Sequence, residues 1–364
     1  METNKIKQLQ EFGQRIWLDF LDRNLIRSGQ LKKLIEEDGV RGMTSNPAIF
    51  EKVISSSNDY DQQIGQLAAI HQDNEAIFYQ LAITDIQNAA DLFNPIFARD
   101  EDGYVSLEVS PHLAHDTNGT IKQAVELWRK VDRKNVMIKI PATTAGLSAI
   151  RRTISEGLNI NITLLFGLDR YEQVTEAYLS GLEDRVAVGL PIDHIASVAS
   201  FFLSRIDVLI DPILEEKGEP QMKGEVAIAC AKQAYQIYKR VFSSDRFMKL
   251  QAMGAMPQRV LWASTGTKDP SFPDTKYVEA LIGPETINTI PMETLKAYRD
   301  HGHPASRLEH DLDKADQTLQ QLKLIGINLQ NIASQLEDEG IEKFNKPYDQ
   351  LLKAIEDKKG PVIA

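Results

Sequence analysis

The chain has 364 residues, of which 42% are hydrophobic, and a formal net charge of −11 at pH 7. This is enough for one large domain or two ordinary ones with real cores, and the composition is that of a globular protein. The acidic balance argues against non-specific binding to nucleic acid or to anionic membranes, so an anionic small molecule would need locally placed basic groups.

The single cysteine, Cys230, excludes an intrachain disulfide and fits a reducing compartment, so a cytoplasmic location is expected. Met1–Gln8 has no apolar core of the kind a secretory signal needs. The greasy stretch Ile195–Leu214 is interrupted by Arg205, Asp207 and Asp211, which argues against a membrane span.

Taken in chain order, strand-like runs fall near Arg15–Leu21, Val40–Asn46, Tyr104–Ser110, Asn135–Ala142, Asn159–Phe166, Ile195–Phe202, Arg259–Ser264 and Ile287–Pro291. Longer helical stretches separate them, which predicts an α/β architecture with a parallel sheet. Eight such units point to a closed (β/α)8 barrel, or TIM barrel, whose usual length is about 250 residues. The surplus fits an N-terminal cap helix, an enlarged helical region around 212–256 and a charged, amphipathic C-terminal tail from about Ala305. No flexible linker or internal repeat divides the chain, so residues 1–364 are read as one barrel domain. Asp100-Glu101-Asp102-Gly103 lacks calcium-loop spacing and reads as the turn into the third strand. His112/His115 and His301/His303 have no metal-motif context and read as surface histidines. No glycine-rich nucleotide fingerprint is present.

Side-chain alternation separates the faces of these strands. In the first, Ile16, Leu18 and Phe20 share one face, leaving Trp17 and Asp19 on the other. The third leaves Ser106, Glu108 and Ser110 opposite Val105, Leu107 and Val109. In the fourth, Val136, Ile138 and Ile140 oppose Met137 and Lys139. In the fifth, Asn161 and Thr163 oppose Ile160, Ile162 and Leu164. Thr44 and Asn46 share a face late in the second strand, Ser200 comes late in the sixth, and Ser264 ends the seventh. A barrel turns its aliphatic faces to the helices and the others to the lumen. The lumen therefore receives Asp, Asn, Glu, Lys, Asn, Thr, Ser and Ser, several near the C-terminal strand ends where barrel active sites lie. A plain core would use branched aliphatics there, because buried polar groups are costly unless satisfied. Lys139 stands out. Enclosure in an apolar strand disfavours an ammonium, and a neutral amine is what Schiff-base chemistry on a carbonyl requires.

Three motifs carry a family resemblance: Gly42-Met43-Thr44-Ser45-Asn46-Pro47-Ala48-Ile49-Phe50, Met137-Ile138-Lys139-Ile140-Pro141-Ala142-Thr143, and Asn159-Ile160-Asn161-Ile162-Thr163-Leu164-Leu165-Phe166. With Ser200-Phe201-Phe202-Leu203-Ser204-Arg205-Ile206-Asp207, the chain resembles the transaldolases, specifically their longer subfamily, from Trp17 to the C-terminal helices. The resemblance implies a (β/α)8 barrel of the class I aldolase type. It implies transfer of a dihydroxyacetone unit from sedoheptulose 7-phosphate to glyceraldehyde 3-phosphate, in the non-oxidative pentose phosphate pathway. It also implies residue roles. Lys139 is the Schiff-base amine, Glu108 the acid/base acting through a water that Thr163 helps hold, and Asp19 the group that takes the C4 hydroxyl proton. Asn46 and Asn161 would bind the dihydroxyacetone hydroxyls, with Thr44 and Ser200 in support. Arg205 matches the phosphate-binding arginine. Ser264 is retained, but Gly266 stands where the short transaldolases carry an arginine, leaving Lys268 as the candidate second cation. Such chemistry needs neither metal nor organic cofactor. The implied partners are small sugar phosphates, and a homo-oligomer is left open. Two competing readings stand beside this one. The first is a fructose-6-phosphate aldolase that releases its donor, although those members place a tyrosine in the water-activating role that Glu108 would take here. The second is a non-catalytic sugar-phosphate-binding barrel.

Overall fold

The computed structural model describes residues 4–359. Met1–Thr3, where the N-terminal stretch begins, and positions 360–364 at the end of the tail lie outside the described residues. Eight parallel strands close into a barrel in sequence order: β1 Gln14–Asp19, β2 Gly42–Thr44, β3 Val105–Glu108, β4 Val136–Pro141, β5 Ile160–Leu165, β6 Ser197–Phe202, β7 Arg259–Ala263 and β8 Thr286–Ile290. All eight fall inside or at the edge of the expected runs. The outward faces are aliphatic: Val136, Ile138 and Ile140 of β4, and Ile160 and Ile162 of β5, are completely buried.

Register carries the polar residues to a common level. Glu108 of β3 pairs with Lys139 of β4, and Lys139 with Asn161 of β5; Asp19 of β1 pairs with Thr44 of β2. Because paired residues on neighbouring strands share a face, these assignments put one polar layer near the C-terminal mouth.

Three local departures from the expected pattern matter. β2 stops at Thr44, and Asn46 leaves the sheet to cap the helix Pro47–Ser56, its Oδ1 accepting from the Ile49 amide at 3.0 Å. An asparagine before proline favours this extended, capping conformation. In β5 a register shift between Ile162 and Leu165 coincides with a left-handed Leu164, φ +56°. Leu164 is therefore released from the outward face and lies against Gly340. Finally, Ser264 falls just past β7 in a left-handed conformation, φ +54°.

The N-terminal cap is a short helix, Lys5–Gln8, followed by a 3-10 turn. The enlarged region beyond β6 holds helices Ser204–Glu216, Val226–Phe242 and Asp245–Gln251. The tail forms helices Leu312–Leu324 and Leu329–Lys358. The second of these, the terminal helix, packs against Pro47–Ser56 and against β5, at the mouth of the barrel.

Below the polar layer Trp17 fills the lumen, its indole N–H donating to Asp102 at 2.9 Å. Arg259 pairs with the same carboxylate at 3.1 Å, so the turn into the third strand also anchors the floor of the barrel. Gly42, the partner of Trp17 across the sheet, makes room for it. A Cβ there would sit 2.5 Å from the indole ring. Gly42→Ala is expected to cost about 1–3 kcal/mol of stability, the usual range for overpacking a tight core, measured as a lowered urea midpoint.

Candidate active site

The centre of the site is an ion pair closed off from water. Lys139 and Glu108 are 5% and 7% exposed, and Nζ lies 3.0 Å from Glu108 Oε2. The approach is off-axis: Oε2 accepts no well-aligned hydrogen bond, and Nζ donates instead to the Ser45 carbonyl at 2.9 Å. Ser45 is held in turn by its hydroxyl, which donates to the Ser106 carbonyl at 2.9 Å. Burial raises the Glu108 carboxyl above its ordinary range, against the opposing pull of Lys139.

Asp19 forms the second acid. It keeps a partly exposed surface but is densely surrounded by protein, and this desolvation raises its proton affinity. Lys139, the Thr44 hydroxyl and Lys268 pull it down, while Glu293 pushes it up. Thr44 donates to Asp19 at 2.8 Å and lies 2.7 Å from the Thr289 hydroxyl. Thr44 has one proton to give, so Thr289 must donate to Thr44. The order Thr289 to Thr44 to Asp19 fixes the carboxylate without neutralising it.

Across the lumen, Ser200 donates to Asn161 Oδ1 at 2.7 Å, and Asn161 Nδ2 donates to Ser106 Oγ at 3.0 Å. Asn161 thus keeps one amide proton for a ligand. Thr163 is fully buried, and its hydroxyl has no protein partner. Asn46 spends its carbonyl on the helix cap, so its amide is the part left for a ligand.

Arg205, at the start of the helix after β6, is half-buried with Nη1 enclosed and unpartnered. Its guanidinium stacks on Phe202 at 5.5 Å, and burial weakens its hold on the proton. The neighbouring Asp207 does not pair with it. That carboxylate accepts from the Ala227 amide at 2.8 Å and from the Tyr277 hydroxyl at 2.7 Å. Ser264 shares a hydrogen bond with Ser204 at 2.8 Å, tying the loop after β7 to the start of the helix that carries Arg205. Lys268 is exposed further along that loop. An unpartnered guanidinium, with Ser264 tied to the residue before it, is suited to a phosphoryl group.

Thr289 and Ser45 were not singled out from the sequence. Thr289 shares its face of β8 with Ile287, so the alternation of polar and aliphatic residues did not mark it. Ser45 acts through its backbone, which no side-chain pattern reports. Phe344 of the terminal helix was missed as well; its ring centroid is 5.7 Å from Lys139 Nζ. Away from the mouth, His112 pairs with Asp349, and His301 with Asp274 and Asp300. Among the described residues, no group of three His, Cys, Asp or Glu side chains is placed to hold a metal ion, and no helix is long and apolar enough to cross a membrane.

A closed parallel barrel with a buried lysine–carboxylate pair at its C-terminal mouth is a (β/α)8 barrel of the class I aldolase type. The family model for transaldolase/fructose-6-phosphate aldolase matches residues 16–355. The transaldolase of Saccharopolyspora erythraea is 46% identical over 358 residues, covering 98% of each chain. That of Trichodesmium erythraeum is 45% identical over 373 residues, again covering 98% of each. The chain belongs to the transaldolase/fructose-6-phosphate aldolase family.

Asp207 gives this region a pH signature. Burial, reinforced by Asp211, raises its pKa to about 7, although the Ala227 amide and Tyr277 hydroxyl pull it down. A carboxyl that binds its proton more tightly folded than unfolded adds stability in acid, and that contribution fades as pH rises towards 7. Between pH 5 and 7 the loss from this one group is about 2 kcal/mol. Urea unfolding of Asp207→Asn at the two pH values is expected to show that much less pH dependence than the parent.

Proposed function

We propose that the protein is a transaldolase. It moves a dihydroxyacetone unit from sedoheptulose 7-phosphate to glyceraldehyde 3-phosphate, giving erythrose 4-phosphate and fructose 6-phosphate, through a Schiff base on Lys139. The reaction belongs to the non-oxidative pentose phosphate pathway, and the lone cysteine favours a reducing, cytoplasmic setting. The whole chain acts as one catalytic barrel domain. The observation that carries this reading is the enclosed Lys139–Glu108 pair, an amine with its proton acceptor 3.0 Å away.

In this scheme the ammonium passes a proton to Glu108, which burial has made receptive. The free amine adds to the ketose C2 carbonyl. Glu108, through a water held with Thr163, returns the proton as the C2 oxygen leaves as water, and an iminium forms. Asp19 then takes the C4 hydroxyl proton, the C3–C4 bond breaks, and its electrons move into the iminium. Erythrose 4-phosphate leaves, and the enamine on Lys139 attacks the aldehyde carbon of glyceraldehyde 3-phosphate while Asp19 returns its proton. Hydrolysis frees fructose 6-phosphate. Asn46 and Asn161, supported by Thr44 and Ser200, hold the three-carbon unit in place meanwhile. Arg205, with Ser264 and Lys268, holds the phosphate. Glu108 in the water-activating role, for which the family's fructose-6-phosphate aldolases use a tyrosine, favours transfer over donor release.

Transfer is measured as erythrose 4-phosphate formed from sedoheptulose 7-phosphate and glyceraldehyde 3-phosphate. Lys139→Ala is expected to abolish it, and Glu108→Gln to lower kcat about 10²–10⁴-fold with the fold intact. Full activity in folded Lys139→Ala protein would end the proposal. Arg205→Ala is expected to raise KM for the phosphorylated ketose at least about tenfold while sparing the small reaction of unphosphorylated ketose. Equal losses with both substrates would remove Arg205 from the phosphate site.

A further inference from the structure

The terminal helix presents one aromatic ring to the site. Phe344 is 5% exposed, with its centroid 5.7 Å from Lys139 Nζ and 5.9 Å from the Arg205 guanidinium. A phenylalanine serving only as core would lie among aliphatic groups; this one faces two cations from two different strand ends. The helix is built to bring it there. Gly340, one turn earlier, lets the backbone come down onto the barrel: a Cβ at that position would be 3.0 Å from Leu164 and 3.7 Å from Arg205 Nη1. Beyond Phe344 the helix is moored by the Tyr348 hydroxyl donating to Glu75 at 2.7 Å. Lys358 completes the mooring, bonding to the Ser57 carbonyl at 2.8 Å and to Asp61 at 2.6 Å.

Resting on the transaldolase reading, we propose that Phe344 is a specificity-determining roof over Lys139 that decides between transfer of the three-carbon unit and its loss to water. An apolar ring at this distance excludes solvent from the nitrogen, and its face favours a cationic nitrogen. Excluding water preserves the bound unit. In the release branch the enamine carbon takes a proton instead of the acceptor's carbon. Water then adds to C2, the C–N bond breaks, and free dihydroxyacetone leaves with the Lys139 amine restored. Opening the roof admits the water this branch consumes.

The test measures free dihydroxyacetone formed per transfer event, with fructose 6-phosphate as donor and erythrose 4-phosphate as acceptor. In Phe344→Ala the ratio is expected to rise about tenfold, and in Phe344→Leu about threefold, because leucine keeps part of the apolar cover. A merely structural role would lower both branches together and leave the ratio unmoved. Transfer by the parent protein with an unchanged ratio in folded Phe344→Ala overturns the roof alone. Absence of transfer in the parent overturns the underlying reading with it. If Phe344→Ala does not fold, Phe344→Leu decides, and an unchanged ratio there is equally fatal.

Discussion

Burying the Lys139 ammonium is the constraint around which the rest of the site is arranged. An enclosed ion costs several kcal/mol unless partners compensate it, and a partner that compensates too well leaves the amine unreactive. The protein resolves this with a close but poorly aligned carboxylate, Glu108, and a well-aligned neutral acceptor, the Ser45 carbonyl. The charge is held, yet the proton has somewhere to go. Removing either partner would strand the charge, which is why the register of β2, β3 and β4 matters to the chemistry as much as to the fold.

The surrounding polar residues follow from the same requirement. The lumen groups that could collapse onto Lys139 are occupied elsewhere: Asp19 by Thr44, and Asn161 by Ser106 and Ser200. The Thr163 hydroxyl and Arg205 Nη1 are unpartnered and free to meet a ligand. The terminal helix then closes the mouth with an apolar ring, lowering the local polarity that makes these charges effective.

Much of this was legible in the sequence because the barrel converts a simple alternation into a spatial statement. Once eight strands are recognised, polar residues at alternate positions near their ends must meet in one lumen, as Asp19, Glu108, Lys139 and Asn161 do. The readings that slipped did so where the chain stops being a regular strand. Asn46 is a helix cap because Pro47 cannot continue the sheet, and Leu164 turns inward because a bulge interrupts the period of two. The role of the tail was not legible at all. The stripe Gly340, Phe344, Tyr348 and Leu351 announces that one helix face is buried, but periodicity cannot say against what. A long-range contact between residue 344 and residue 139 is a property of the folded chain.

The central claim is that Lys139 is the group that bonds to substrate. Reduction with borohydride in the presence of fructose 6-phosphate, followed by peptide mass mapping, tests it directly. The account requires a reduced three-carbon adduct on the peptide containing Lys139. An unmodified Lys139 in folded, transfer-competent protein, or an adduct on a different lysine, would contradict it.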